Sequence, residues 1–350
     1  MAPVTGMVLT NFKPDVWERR LARKLGNQLI FTQAGIANRN YEGDVHVGSS
    51  VRVFNMAEVA ISDYTANTDM GAPDTLSVTS DTMTIDQAKK YHFYLDDVDR
   101  VALLTDLLND AGDSAAYGLA NEQDTYARDL MLAATPAFAI GAGQLTPSNV
   151  FPRLIIPARN KLTRANIDEQ GRYLIIPPEI SGVLMDPAGP ANQVLSDADS
   201  VIRNGNIGRL ATLDLIETNK VAENPAGIAA FSAGASVTPG FVFTSGGNYW
   251  VVESVSGSAP FTLAGTAPTA AVGASEVSNE AVVRNIGATT ATLYKSVVGV
   301  PEAFAFANDI QKSEAYRPER RFGAAVKGLN VYGGKVFRAD MLGHVYMTLA

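Results

Sequence analysis

The sequence predicts an α+β subunit: several sheets, one long helix and a small all-β module set into the chain. Three observations carry that prediction. Val51 and Val53 alternate with Arg52 and Phe54, and Tyr91, Phe93 and Leu95 alternate with His92 and Tyr94. Period two is the signature of strands with one buried face. Residues 116–134 repeat small and apolar side chains at spacings of three and four, the stripe of a helix. Residues 225–283 contain no lysine or arginine, and short aromatic runs recur there at strand spacing.

The elements follow in order. Residues 1–43 form an N-terminal arm. Met1 to Leu25 lacks the basic region, apolar stretch and small-residue site of a secretory signal. The run from Trp17 to Leu25 can form a short amphipathic helix with Trp17, Leu21 and Leu25 on one face. Arg19 and Arg20 sit among its charges. It suits a solvated surface helix or an arm that docks on another chain. Residues 44–95 read as a long two-stranded projection, with the polar tract Ser62 to Asp74 as its turn region. An isolated hairpin is barely stable in water, so such an arm makes physical sense lying on a neighbour.

Residues 96–147 hold the helices. Asp96 can cap a short one carrying Val98, Val101, Ala102, Thr105 and Leu108, which Gly112 should break. Asp113 or Ser114 can cap a second that runs to about Ala134, stopped by Pro136 and Gly141. Its stripe is Ala116, Leu119, Ala120, Gln123, Ala127, Leu130, Met131 and Ala134. Residues 148–222 look α/β, with a helix over Val150–Arg164 that has Pro152 near its first turn, a strand at Tyr173–Ile176, a helix at Glu179–Met185 and a strand at Leu213–Glu217. Residues 223–287 are the inserted module. Its strands are Phe241–Phe243, Tyr249–Val252 and Phe261–Leu263, and Ser245-Gly246-Gly247-Asn248 turns between the first two. The module is expected to be dispensable for the fold. Residues 288–316 return to the earlier style, with Pro301–Glu314 helix-like. Residues 317–350 close the chain with strands at Gly328–Arg338 and Met341–Leu349.

Composition narrows the function. At 350 residues, of which 46% are apolar and 18% charged, the chain can bury a large core and is not disordered. Cysteine is absent, which excludes disulfides, thiolate zinc sites and a cysteine nucleophile. The three histidines, His46, His92 and His344, are scattered, which argues against a multi-histidine metal centre. A net charge of −8 argues against a dedicated nucleic-acid binder. No stretch reaches the ~18 apolar residues needed to span a bilayer. The expectation is a soluble protein made in the cytosol.

Catalytic patterns fail one by one. Gly328 and Gly333 have P-loop spacing, but Gly334 stands at the lysine position and Val336 supplies no hydroxyl. Gly141 and Gly143 begin a dinucleotide fingerprint whose last glycine is Thr146. No Gly-x-Ser-x-Gly elbow occurs. Asp197 and Asp199 start a calcium-loop pattern that Val201 breaks. Asp96, Asp97 and Asp99 read better as a helix start favoured by the dipole than as a cation site. Each histidine reads as structural or solvated. Tyr249 and Trp250 could form a carbohydrate platform, although strand aromatics more often pack in a core. The cluster Arg317-Pro318-Glu319-Arg320-Arg321 suits a salt-bridged subunit contact better than a phosphate site. No cofactor and no catalytic or metal-binding residue is assigned.

The order of parts carries a resemblance. Thr82-Met83-Thr84-Ile85-Asp86-Gln87-Ala88-Lys89-Lys90-Tyr91-His92-Phe93-Tyr94-Leu95-Asp96-Asp97-Val98-Asp99, Ala115-Ala116-Tyr117-Gly118-Leu119-Ala120 and Leu329-Asn330-Val331-Tyr332-Gly333-Gly334-Lys335-Val336 are the segments concerned. They resemble, in turn, the exit from the extended loop, the spine helix and a returning peripheral strand of tailed-phage major capsid proteins, the Hong Kong 97 fold. The likeness covers roughly residues 1–222 and 288–350 and is nearest to the Salmonella phage coat proteins.

The resemblance implies the domains of that fold: arm, extended loop at 44–95, peripheral domain with its spine helix at 96–147, axial domain at 148–222 and 288–316, and peripheral return strands at 317–350. It implies a non-enzymatic shell subunit. Its partners would be other copies in hexamers and pentamers, a scaffolding protein, a portal, and double-stranded DNA that is enclosed rather than read, with no membrane. Its place would be the virion capsid, after synthesis in the host bacterial cytoplasm. Trp17, Arg19, Arg20, Val53, Phe93, Arg317, Arg320 and Arg321 are the assembly contacts it suggests. Some members weld neighbours by an isopeptide bond from a loop lysine, but residues 44–88 here have no lysine and only Arg52 as arginine. A soluble α/β enzyme or sugar-binding protein carrying a β module is the alternative.

Overall fold

The computed structural model describes residues 30–41, 50–56, 61, 63, 66, 78–96, 107–186, 208–256, 261–320 and 322–349. Trp17, Arg19, Arg20, His46, most of the expected short helix after Asp96, the Asp197–Asp199 pair and Arg321 lie outside the described residues.

In chain order, β1 (Ser50–Met56) and β2 (Val78–Thr84) precede β3 (Gln87–Asp96) and the long helix α1 (Leu107–Ala133). Strand β4 (Phe138–Leu145), helix α2 (Ile156–Arg164), β5 (Tyr173–Ile176) and helix α3 (Pro178–Met185) follow. Next come β6 (Arg209–Leu210), β7 (Leu213–Glu217), β8 (Ala222–Glu223), β9 (Ala229–Ala230), β10 (Val242–Ser245), β11 (Asn248–Val255), β12 (Ser275–Ser278) and β13 (Ala281–Ala288). Strands β14 (Leu293–Gly299), β15 (Phe304–Tyr316), β16 (Gly323–Val336) and β17 (Leu342–Leu349) complete the chain.

A seven-stranded sheet in the order β4-β17-β14-β5-β7-β6, with β8 on β14, holds the largest core. Strands β4 and β5 are buried along almost their whole length, so they read as apolar runs rather than alternations. The helical turn Phe151–Ile155 adds Leu154 to that core, and helices α2 and α3 add Ala158, Leu162, Ile180 and Leu184. The last strand, β17, runs parallel to β4 in this sheet. It therefore does not join the returning strand β16, as the sequence-based division at 317–350 had it. Full burial of seven of its eight residues explains the choice, because only the interior of the large sheet covers both faces.

A three-stranded sheet, β15-β16-β3, carries α1 on one face. The helix buries Ala116, Leu119, Ala120, Gln123, Ala127 and Met131, the expected stripe. Gly112 lies inside α1 and does not break it. A mid-helix glycine costs about 1 kcal/mol, which packing over many turns offsets. The helix expected at Pro301–Glu314 is instead a short 3-10 turn followed by β15. Alanine, glutamate and lysine there suggest a helix, but Phe304 and Phe306 alternate at strand spacing and β16 pairs with the segment from Phe304 onward, with one irregularity between Asp309 and Lys312. Tertiary pairing overrides local propensity.

The hairpin also differs in its partner. Strand β1 pairs with β2, from Ser50–Thr84 to Met56–Val78, and not with residues 91–95. Strand β3 pairs with β16, from Asp96–Gly323 to Gln87–Tyr332. Period-two alternation identifies a strand but not its neighbour.

The module is a five-stranded sheet, β12-β13-β11-β10-β9. The turn at Gly246–Gly247 has positive φ at both residues, as a two-residue hairpin requires. Phe261–Leu263, expected as a strand, makes only a bridge between Thr262 and Ser236 and flanking backbone bonds. One face of the sheet buries Phe243, Trp250, Val252 and Val283 against Val237 and Leu263. The other face sets Val251 and Ile286 against Ala139, Leu293 and Tyr346 of the large sheet. The chain leaves and re-enters the large sheet at one point: Asn224 N donates to Leu293 O at 2.8 Å, and Leu293 N donates to Asn224 Oδ1 at 3.0 Å.

Candidate assembly surfaces

The hairpin is anchored at its base. Met83 is fully buried among Ile85, Ala305, Ala307 and Val331, with Val51 packed beside them. Lys335 Nζ donates to Asp81 Oδ1 at 2.7 Å and to Thr82 O at 3.0 Å. At Gly333 a side chain would meet Thr84 O at 2.5 Å, so the backbone of the hairpin base requires glycine there. Away from the base the support stops. Val53 is half-buried opposite Asp81, Phe54 is 70% exposed and Ile61 is 98% exposed. An apolar ring held out on two strands has the character of a contact surface.

Phe93 sits elsewhere. It lies in β3, its ring 6.2 Å from that of Tyr91, which packs on Ala116, Leu119 and Ala120 of α1. It belongs to the helix–sheet layer of its own subunit and not to the hairpin with Val53. Gly328 makes that layer close, since a side chain there would meet the Tyr91 ring at 2.2 Å.

The opposite face of the three-stranded sheet is open. It forms a groove of about 540 Å³ lined by Lys90, His92, Glu314, Tyr316, Lys327 and Leu329. His92 Nε2 and Tyr316 Oη are 2.9 Å apart, with the two rings nearly parallel. Lys327 Nζ sits 4.8 Å from the Tyr316 ring centroid and 3.2 Å from Glu314 Oε2. Beyond β15, Arg317 and Arg320 are exposed, with Phe322 81% exposed next to them in sequence. The structure does not bring Val53, Phe93, Arg317 and Arg320 into one site.

Sequence reading missed the contacts by which three polar side chains join layers. Asp124, on the buried stripe of α1, accepts from Ile30 N at 2.9 Å and Phe31 N at 2.6 Å. Its other oxygen is 2.9 Å from Lys220 Nζ. A carboxylate beside Gln123 on an apolar stripe was the available signal. Lys295 Nζ donates to Leu132 O at 2.8 Å, and His344 Nε2 donates to Met131 O at 3.0 Å. Burial lowers the Lys295 pKa. Burial first, and then the Lys295 charge, push His344 down to about 4. No sequence signal marks these two, because their partners are backbone carbonyls far along the chain.

Nothing among the described residues assembles a catalytic or metal centre. No group of three or more His, Asp or Glu side chains that could hold a metal occurs among them. Gly328 and Gly333 lie inside β16, and Gly141 and Gly143 inside β4, so neither pair starts a phosphate-binding turn. Trp250 is 1% exposed in the module core, so it is no sugar platform. No helix among the described residues is long and apolar enough to cross a membrane.

No protein-family model and no curated protein matches the sequence. Solved structures do. A chain from Mycobacterium phage Che8 aligns over 91% of this chain and 91% of its own, at 22% identity and a TM-score of 0.59. The capsid of Ralstonia phage GP4 aligns over 92% and 90%, at 12% identity and a TM-score of 0.57. The capsid of Cyanophage P-SCSP1u aligns over 87% and 85%, at 12% identity and a TM-score of 0.55. This is the Hong Kong 97-like capsid fold.

Proposed function

We propose that this chain is the major capsid protein of a tailed bacteriophage, of the kind seen in the Salmonella phage coat proteins. Copies assemble as hexamers and pentamers into an icosahedral shell that encloses double-stranded DNA. One observation carries the reading: the capsid of Ralstonia phage GP4 aligns over 92% of this chain and 90% of its own. The hairpin supports it, since Phe54 on β1 is 70% exposed. So does the charge. A net −8 surface does not trap phosphate, so a shell of this chain would hold DNA by enclosure. The subunit does no chemistry in this reading and works in the virion, with a scaffolding protein and a portal as partners during assembly in the bacterial cytoplasm.

Electron microscopy of the purified full chain tests the proposal. Rings or closed shells are the expected result. A protein that stays monomeric at high concentration, with and without crowding agents and co-expressed phage assembly factors, would overturn it.

A further inference from the structure

The C-terminal turn of α1 leaves carbonyl oxygens without helical partners, as every helix end does. Here Leu132 O and Met131 O point at the large sheet, and two cationic-type side chains from adjacent strands meet them. Lys295 comes from β14 and His344 from β17, which pair with each other. The Lys295 ammonium also lies 5.8 Å from the Tyr346 ring centroid. The imidazole is shut away from solvent, with His344 1% exposed, and Lys295 is half-buried beside it.

We propose that Lys295 and His344 form an acid-releasable latch between the spine helix and the large sheet. The surroundings of His344 decide the sign. On β14 the nearby charge is Lys295, a cation. On β17 there is the Tyr346 phenol, edge-on at 6.4 Å and held protonated by burial. On α1, Arg128 lies one turn before Met131, its guanidinium on Asp129 at 2.7 Å and near Lys220 O at 3.4 Å. Strand β4, paired with His344 at Ala139, has no titratable side chain. No carboxylate in the joint is left to neutralise an imidazolium. A proton on His344 sets a second cation beside Lys295 where the imidazole is shut away from solvent, and opening the joint to water relieves it.

The pH window follows from the imidazole. His344 titrates at about 4 in the closed joint and near its ordinary 6.5 once open to water. Above 6.5 the latch holds in full. Its hold weakens as pH falls from 6.5 to about 4, tenfold per pH unit, or up to about 300-fold in the opening equilibrium. The latch is a property of one subunit. Its failure would leave the capsid reading standing, and a failure to assemble would leave the latch standing.

Hydrogen exchange of the amides from Tyr126 to Ala133, followed by mass spectrometry from pH 7 to 4 and corrected for intrinsic rates, measures the opening. In the full wild-type chain it should rise by up to about two orders of magnitude. In His344→Gln, which keeps a donor for Met131 O but takes no proton, the acid response should vanish. In Lys295→Met it should shrink, because the neighbouring charge that helps keep His344 neutral is gone. Equal responses in wild type and His344→Gln, or no response in wild type, would overturn the latch. Should His344→Gln not fold, the imidazole C2 proton of the wild-type residue decides. A titration near 6.5 counts against the proposal, and one near 4 for it.

Discussion

Gly141 shows how much one missing side chain can decide. It lies in β4, where the module lies on the large sheet. A Cβ there would come 2.6 Å from Val251 Cγ1 and 2.9 Å from Ile286 Cγ2. Gly141→Ala should therefore cost about 1–3 kcal/mol, the range for overpacking a close-packed layer. The denaturation midpoint checks it, and Trp250 fluorescence reports whether the module responds first. An unchanged midpoint would mean that the module rides loosely on the sheet. At this scale the sequence was only half legible. Gly333 and Gly334 stood out within a motif, yet their reason, the hairpin base crossing Gly333, needs two segments far apart in sequence. Asp124 interrupts an apolar stripe and so was visible as an anomaly. Lys295 and His344 were not, because a strand residue that caps a distant helix has no local pattern.

Among the elements, the ones with a strong local pattern were read in type, although α1 was expected to break at Gly112 and does not. Helix α1 and strands β5, β7, β10 and β16 all follow their spacing. The misreadings share a cause. For β15 and for the partner of β1, the deciding term is pairing across the chain, which alternation alone leaves open. The module is the instructive case. Its ends meet at Asn224 and Leu293, so the chain could close there with a short linker. Yet its second face covers Ala139 and Tyr346, so it is more than an appendage. Deletion of residues 225–292 should preserve the far-ultraviolet circular dichroism of the remaining sheets and strongly raise binding of an apolar dye. A low dye signal would show that the covered face matters less than its burial suggests. Loss of the circular dichroism signal would make the module an integral layer.

Across the whole molecule, the order of parts was the most legible feature, because a hairpin, a long helix and a late return strand constrain one another. What order could not supply was which sheet each late strand joins, and β17 was placed wrongly for that reason. The same order bears on how a shell of this chain would hold together. An isopeptide weld needs an amine nucleophile on the reaching hairpin, and arginine cannot serve because it stays protonated. Residues 44–88 contain no lysine. Lys89 lies at 3.3 Å from Glu122 on the helix side of the three-stranded sheet, and Lys90 lines the groove on its other face. Lys335 is committed to the hairpin base. None is carried out to where Phe54 and Ile61 stand. Particles should therefore be held by apolar and ionic contacts alone, and boiling in detergent should release one band near 37.1 kDa. A ladder of multimers that survives boiling would contradict this. Tryptic mapping would then show whether Lys90, the amine on the open face, is the residue joined.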